Sequence, residues 1–144
     1  MLAREMQPKN MTNIFIDTSA LVALYLKKDD FHPRAIAILK KHKEAGWFTS
    51  NFVLDEVYTF LRARCGKKVA IKLAEFLASN SQTVRLIRVT IEDEKEAFRL
   101  FCKYDFKNLS FTDCTSFALM KRLKLKTVFA FDRHFIRAGF RLLV

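Results

Sequence analysis

One stretch near the start of the chain, residues 14–21, constrains the fold more than any other. Ile14, Phe15 and Ile16 lead directly into Asp17, and two hydroxyl residues and an apolar run follow at once. A short apolar run with β-branched residues is typical of a buried strand, and an acid before a longer apolar run is typical of a helix start. The stretch therefore predicts a strand that ends at Asp17 and turns directly into a helix.

Asp17 has two interpretations at this joint. Its carboxylate can be a helix N-cap, which accepts the free N–H groups of the first helical turn. It can equally lie at the carboxyl end of a central strand, where open α/β sheets place their active sites. The stretch alone does not decide between the two, so the rest of the chain has to be considered.

The remaining chain alternates short apolar strands with longer helical segments. Asp30 and Pro33 predict the start of a second helix, which continues to Gly46. The further predicted segments are a strand at 47–49, helices at 51–66 and 67–79, a strand at 84–89, a helix from 91, a loop at 103–109, a helix at 110–124, a strand at 127–131 and an edge strand at 141–144. Strands that alternate with helices indicate a parallel sheet covered on both faces. We therefore expect an α/β three-layer sandwich with a central parallel sheet of four to five strands flanked by helices.

The length of 144 residues suits one domain with a sizeable core. The longest unbroken apolar run, residues 20–26, is far too short for a membrane span, which needs about 20 residues, so we expect no membrane partner. Residues 1–10 are charged and have no apolar centre, which excludes a signal peptide. We interpret them as a flexible N-terminal extension before a single domain at residues 11–144.

Cysteine content and charge narrow the class of protein. Cys65, Cys102 and Cys114 are odd in number and share no short metal-ligand spacing, so neither a disulfide framework nor a zinc site is expected. This pattern favours a reducing, cytoplasmic location. The 26 basic and 15 acidic side chains give a formal charge of +11, which favours a polyanionic partner.

Three further acids stand at positions comparable to that of Asp17. Glu56 lies on the inward side of the third predicted helix, whereas Asp55 points nearly opposite, toward water. Asp113 falls in the first turn of its helix, and Asp132 follows the strand at 127–131. Each also has an ordinary structural explanation: a solvated glutamate at a packed edge, a capping box with Ser110 and a turn-forming aspartate.

Taken together, these acids predict a cation site. Strand exits and the helix starts that follow them lie on the same rim of a parallel sheet, so the four carboxylates can approach one another. Two carboxylates about 4 Å apart repel by ~4 kcal/mol at an effective dielectric constant near 20. Such a cluster must take up protons or bind a cation. Oxygen donors select a hard divalent ion, with Mg²⁺ or Mn²⁺ as the expected cofactor.

Four segments resemble the acidic motifs of the PIN-domain nucleases, and most closely those of the VapC-type toxins of toxin–antitoxin pairs. They are residues 16–21, Glu56 with Val57, residues 109–114 and residues 131–135, and the resemblance runs in order from about residue 12 to the end. It implies that Asp17, Glu56, Asp113 and Asp132 are the catalytic, metal-binding acids. It also implies supporting roles for Thr18 or Ser19 and for Ser110 or Thr112.

The same resemblance implies the activity and the partners. A protein of this family is expected to be a divalent-metal-dependent endoribonuclease, a phosphodiester hydrolase acting on single-stranded or structured RNA. It is expected to form a homodimer and to bind a cognate antitoxin that covers the active site. One position departs from the family pattern: many relatives have a hydroxyl residue two positions before the last acid, where this chain has Ala130. This difference predicts the loss of a polar support for Asp132.

Several alternatives remain beside this interpretation. Arg133 and His134 are candidate RNA contacts, although an ordinary, partly exposed histidine is the simpler interpretation of His134. A response-regulator receiver needs an acidic pair where Asn13 and Ile14 stand, and a haloacid-dehalogenase-like phosphatase needs a second aspartate where Ser19 stands. The main alternative is a catalytically inactive domain of the same fold that binds RNA or serves as a scaffold. Four intact acids argue against it, and Ala130 argues for it.

Overall fold

Five parallel strands form the central sheet of the computed structural model, which describes residues 12–143. They are β1 (Asn13–Ile16), β2 (Gly46–Ser50), β3 (Val84–Ile87), β4 (Thr127–Phe129) and β5 (Arg141–Leu142). Their spatial order is β3-β2-β1-β4-β5, and every neighbouring pair is parallel. The predicted extension at residues 1–10 lies outside the described residues.

Seven helices are found in residues 12–143, between and after these strands. They are α1 (Thr18–Tyr25), α2 (His32–Lys41), α3 (Asn51–Cys65), α4 (Lys67–Ser79), α5 (Ile91–Lys103), α6 (Phe111–Arg122) and α7 (His134–Arg137). Because crossovers between parallel strands are right-handed, the helices before β3 and those after it cover opposite faces of the sheet. The predicted α/β three-layer sandwich is confirmed. In the same part of the chain, none of the helices combines the length and the apolar character needed to cross a bilayer.

The chain reverses its direction across the sheet beside β1. It moves from β1 to β2 and β3 on one side, and then crosses to β4 and β5 on the other. The backbone N–H of Asp17 donates to the carbonyl of Phe129 at 3.0 Å, which ties the end of β1 to the end of β4. Such a switch in strand order opens a crevice at the carboxyl ends of the strands, and Asp17 lies beside it.

The core explains why β1 carries three apolar residues in succession. Ile14 and Phe15 are fully buried and Ile16 is 2% exposed, because helices cover both faces of the central strand. Phe117 of α6 packs edge-on against Phe135 of α7, with ring centroids 5.0 Å apart. Burial of such aromatic side chains provides much of the driving force that fixes the strand ends in place.

The second helix begins at His32 with Pro33 in its first turn, as predicted, but it differs from its prediction at its end. It ends at Lys41 and not near Gly46, because the next residues form a turn and the Gly46 N–H donates to the carbonyl of Thr12 at 2.9 Å, where β2 begins. Its N-cap is Phe31, and Asp30 makes no cap. The side chain that orders this turn is Asp29, whose Oδ1 accepts the Phe31 N–H at 2.8 Å.

Candidate active site

Asp17 combines both of its predicted positions, at a strand end and at a helix N-cap. Its Oδ2 accepts hydrogen bonds from the Ser19 hydroxyl at 3.1 Å and from the Ser19 N–H at 3.4 Å. Its Oδ1 is buried and has no hydrogen-bond partner among residues 12–143. Burial, and next the negative charge of Asp113, raises the pKa of Asp17 from 3.8 to about 7. Capping therefore uses one oxygen and leaves the other for a different ligand.

Asp113 begins α6 in the predicted capping box. The Ser110 N–H donates to Asp113 Oδ2 at 3.1 Å, and the Asp113 N–H donates to Ser110 Oγ at 2.9 Å. The side chain is nonetheless buried at the start of the helix, with the residue 6% exposed. Burial raises the pKa of Asp113, and the nearby charge of Asp132 raises it further. The capping role is confirmed, and it places a second acid with a raised pKa near Asp17.

His134 joins Asp113 and Asp132, and its side chain is only 15% exposed. Its Nδ1 lies 3.2 Å from Asp113 Oδ2 and 3.3 Å from Asp132 Oδ1. Each of these three residues offers one possible metal-ligand atom, and these three atoms lie within 4.8 Å of one another. Burial lowers the pKa of His134, but the hydrogen bond with Asp113 and the charge of Asp132 outweigh it and the pKa rises. His134 is thus partly buried and contacts two of the four predicted acids.

Ala130 does not leave Asp132 without polar support. Asp132 Oδ1 accepts the backbone N–H of His134 at 2.9 Å and also contacts the ring Nδ1 of that residue. The expected loss of support at this position is therefore wrong, because contacts from the following helix replace the missing hydroxyl. Ala130 itself is buried, with 3% exposure.

The four predicted acids line one cleft of about 460 Å³. Its wall consists of Asp17, Thr18, Ser19, Val22, Asp29, Phe31, Glu56, Phe60, Asn108, Ser110, Asp113, Phe131 and Asp132. Glu56 is half-buried on α3 while its neighbour Asp55 is exposed, as the helical periodicity predicts. Glu56 and Asp17 lie in the cleft but outside the close group around His134. A larger depression of about 920 Å³ at the β5 edge has no acid in its wall.

Three of the sequence-predicted residues lie outside this wall: Thr112, Arg133 and His134, the last of which contacts two of the lining acids. Thr112 accepts the Thr115 hydroxyl through its carbonyl at 2.7 Å and does not line the cleft. Arg133 is exposed and lines an adjoining pocket of about 320 Å³ together with Arg34. In contrast, Asp29 and Asn108 line the cleft and were not predicted as site residues. The only sequence signal for Asp29 is its place in the polar break after the first helix.

The residues present fit a hard divalent cation. Four carboxylates converge in one cleft, and two of them have raised pKa values because burial and mutual repulsion disfavour their charged forms. Two buried oxygens, Asp17 Oδ1 and Thr18 Oγ1, have no hydrogen-bond partner within the described part of the chain. A buried polar atom without a partner costs about 1–3 kcal/mol, which a bound cation offsets. Oxygen-rich donors of this kind suit Mg²⁺ or Mn²⁺.

Comparison with known proteins identifies the family. The family model of the PIN domain matches residues 14–141. The chain belongs to the PIN-domain family. It is 37% identical over 127 residues to the 23S rRNA-specific endonuclease VapC20 of Mycobacterium tuberculosis, covering 88% of this chain and 95% of the relative. The resemblance to VapC-type toxins is thereby confirmed.

Solved structures extend this PIN-domain similarity. The crystal structure of M. tuberculosis VapC20, a sarcin-ricin loop cleaving toxin, matches with a TM-score of 0.81 and the same coverage of both chains. FitAcB from Neisseria gonorrhoeae matches with a TM-score of 0.68 and 18% identity, covering 91% of this chain and 96% of that one. VapBC2 from Rickettsia felis, bound to a DNA fragment from its promoter, matches with a TM-score of 0.64 and 17% identity. The match covers 91% of this chain and 97% of that one. The last two show the shared fold alone.

Proposed function

We propose that this PIN-domain protein is a divalent-metal-dependent endoribonuclease, a phosphodiester hydrolase that cuts single-stranded or structured RNA. The observation that carries the proposal is the convergence of Asp17, Glu56, Asp113 and Asp132 in one cleft, where Asp17 Oδ1 is buried without a partner. The 37% identity to an rRNA-specific endonuclease supports RNA as the substrate class. The similarity to VapC20 also supports the role of toxin in a toxin–antitoxin pair.

In this proposal the four acids are the catalytic, metal-binding residues, and the cofactor is Mg²⁺ or Mn²⁺. When bound, such an ion polarises a phosphoryl oxygen and lowers the pKa of a coordinated water, so that hydroxide is available near neutral pH. Ser19 holds Asp17 Oδ2 through its hydroxyl, and Ser110 holds Asp113 Oδ2 through its N–H, so each acid keeps a fixed orientation. In-line attack on the phosphorus then leaves a 5′-phosphate and a 3′-hydroxyl.

A basic and aromatic surface beside the cleft supports RNA binding. Without the four acids, 11 acidic side chains remain against 26 basic ones, a surplus of 15 positive charges. Phe31 and Phe131 stack with ring centroids 4.5 Å apart, and both line the cleft as well as the adjoining pocket that contains Arg34 and Arg133. Arginines hold phosphates and an exposed aromatic ring stacks on a base, so we assign this pair of pockets to RNA on one side of the cut.

Two protein partners belong to the proposal. One partner is a cognate antitoxin that covers the active site. The likeness of fold to the VapBC2 structure is consistent with this partner. We also expect a homodimer, as the family resemblance implies. Size-exclusion chromatography of the protein alone tests the homodimer, and co-expression with the product of any short adjacent reading frame tests the antitoxin. Loss of nuclease activity in the complex is the expected result.

The alternative, a catalytically inactive scaffolding domain, is less well supported. Its single argument was Ala130, and the contacts of His134 with Asp132 remove that argument. All four acids are present, and the chain is similar to an active endonuclease over 88% of its length.

The proposal is tested by incubating purified protein with RNA in the presence of Mn²⁺, Mg²⁺ or a chelator and by mapping the product ends. Metal-dependent internal cleavage that leaves 5′-phosphates is expected. Cleavage that persists in the chelator, or that produces cyclic phosphates, contradicts it.

A further inference from the structure

His134 differs from the four acids because, among residues 12–143, it adds a nitrogen ligand atom to the group that contains Asp113 and Asp132. We propose that His134 Nδ1 is a direct ligand of the divalent ion, together with Asp113 and Asp132, and that it makes the site prefer Mn²⁺ over Mg²⁺. This inference rests on the proposed function to the extent that the cleft takes a divalent ion. It adds a metal-binding residue to the four acids.

The hydrogen bonds of the ring determine which nitrogen carries a proton. His134 Nε2 lies 2.8 Å from the carbonyl oxygen of Lys107, and a carbonyl only accepts, so Nε2 must be the N–H donor. In the neutral ring, Nδ1 then has a lone pair. That lone pair faces Asp113 Oδ2 and Asp132 Oδ1, which are acceptors too. Three acceptor atoms in contact require a proton or a metal ion between them.

The spacing of these atoms suits ligands of one metal ion. Two ligands at right angles around an ion about 2.1 Å away are about 3.0 Å apart, as in octahedral coordination. The observed separations from Nδ1 are 3.2 Å to Asp113 Oδ2 and 3.3 Å to Asp132 Oδ1, and each of the three residues offers one ligand atom within 4.8 Å of those of the other two. Binding therefore needs only small movements of the three side chains.

Three features outside the cluster support ligation. A histidine that binds metal almost always donates its other N–H to a carbonyl or carboxylate, and Lys107 supplies that carbonyl here. The ring also stacks on Phe106, with centroids 5.9 Å apart, which fixes its plane. Independently, Asp17 is 2% exposed in the same cleft and its Oδ1 lacks a partner among residues 12–143. The cleft that Asp113 and Asp132 line thus also holds a carboxylate oxygen without a partner among the described residues.

The nitrogen ligand has a consequence for metal choice. Carboxylate oxygens suit Mg²⁺ and Mn²⁺ alike, whereas imidazole favours transition metals and Mg²⁺ seldom takes it. We expect wild-type protein to bind Mn²⁺ more tightly than Mg²⁺, and the difference to shrink when the imidazole is removed. The competing explanation is a doubly protonated ring that only bridges the two acids, and it predicts no metal–nitrogen bond.

Pulsed electron paramagnetic resonance of the protein with Mn²⁺ alone tests the bond directly. Wild-type protein is expected to show a ¹⁴N coupling that changes to the ¹⁵N pattern after labelling with ¹⁵N-histidine. The coupling is expected to vanish in His134→Ala and in His134→Phe, the second of which keeps a ring to stack on Phe106. His42→Ala is the matched control, because His42 lies at the end of α2 and does not line the cleft, and it is expected to retain the coupling.

Calorimetric titration of the metal-free protein measures the preference. His134→Phe is expected to weaken Mn²⁺ binding at least about tenfold and Mg²⁺ binding by less. Two results overturn the inference. One is Mn²⁺ binding by wild-type protein without a ¹⁴N coupling, and the other is a coupling that persists in His134→Phe. If such wild-type protein still cuts RNA with Mn²⁺, the proposed function stands and only the role of His134 falls. If wild-type protein binds neither ion, both fall together.

Discussion

Ser19 Oγ accepts a hydrogen bond from the backbone N–H of Phe131 at 2.9 Å, although the two residues lie 112 positions apart in the chain. The same hydroxyl donates to Asp17 Oδ2 at 3.1 Å. One side chain therefore ties the acid at the end of β1 to the backbone just after β4, which leads to Asp132. The relative position of two of the four acids depends on this small bridge.

Replacing Ser19 by alanine should affect stability and activity together. The change leaves the Phe131 N–H without its acceptor, which costs about 1–3 kcal/mol at a site removed from water. We expect chemical denaturation to show a loss of that size and RNA cleavage to fall, because Asp17 and Asp132 lose their shared support. Ser79→Ala, at the exposed end of α4, is the control and should change neither. Unchanged stability in Ser19→Ala would show that the bridge contributes nothing.

Adjacent acids on α3 provide a matched pair of variants. Glu56 is half-buried in the cleft wall, whereas Asp55 is exposed on the other side of the helix. Glu56→Gln should weaken Mn²⁺ binding and slow cleavage, because a neutral amide is a poorer ligand for a hard cation than a carboxylate. Asp55→Asn removes the same charge from the protein and should leave both unchanged. Equal effects would mean that general charge, and not ligation, governs metal binding.

The pKa of Asp17 makes a prediction about the pH dependence of stability without metal. Because the folded-state pKa of Asp17 is about 7 and the ordinary pKa of an aspartate is 3.8, the unfolded chain releases this proton first as the pH rises. The contribution of Asp17 to stability is therefore lost between about pH 4 and pH 7. The shift corresponds to at most about 4 kcal/mol. In a chelator, Asp17→Asn should be more stable than wild type at pH 8 and similar near pH 4, as measured by denaturant unfolding. A difference that is constant with pH would refute the shifted pKa.

Phe31 is the exposed half of the aromatic stack beside the cleft, with 45% of its surface accessible. Stacking of one base on an aromatic side chain contributes about 1–3 kcal/mol. Phe31→Ala should therefore raise the KM for an RNA substrate about tenfold and change kcat much less. Phe98→Ala, which removes a 61% exposed ring from α5 away from the cleft, should leave KM unchanged. A fall in kcat with an unaltered KM would contradict this role for Phe31.

The sequence predicts the sheet and most helices well because the conformational preference of each segment agrees with its place in the fold. The apolar run before Asp17 becomes the buried β1, and the predicted capping box of Ser110 with Asp113 forms. The end of α2 was misplaced because Gly46 looks like a helix stop when considered alone. In the fold its N–H is needed by the carbonyl of Thr12 to begin β2, which is a contact that no local pattern reveals.

The site was predictable only in part. Strand exits and helix starts indicate where Asp17, Asp113 and Asp132 gather, because they follow from the topology of a parallel sheet. The role of His134 depends on a carbonyl at Lys107, 27 residues earlier in the chain, and the role of Ser19 depends on Phe131. Both are long-range contacts of polar atoms, which carry no periodic signal. Asp29 lies in the cleft wall because of the path of the loop before α2, which has no periodic sequence signal either.

The most direct test of the account is RNA cleavage by purified Asp17→Asn beside wild type, with Mn²⁺ and at equal concentrations. The amide keeps the shape of the side chain and removes the charge, and the variant should remain folded, as circular dichroism can verify. We predict metal-dependent cleavage by wild type and a loss of at least about a thousandfold in the variant, which equals ~4 kcal/mol of lost transition-state stabilisation. Equal cleavage by both proteins would point to a contaminating nuclease and contradict the assignment of the acidic cleft as the active site.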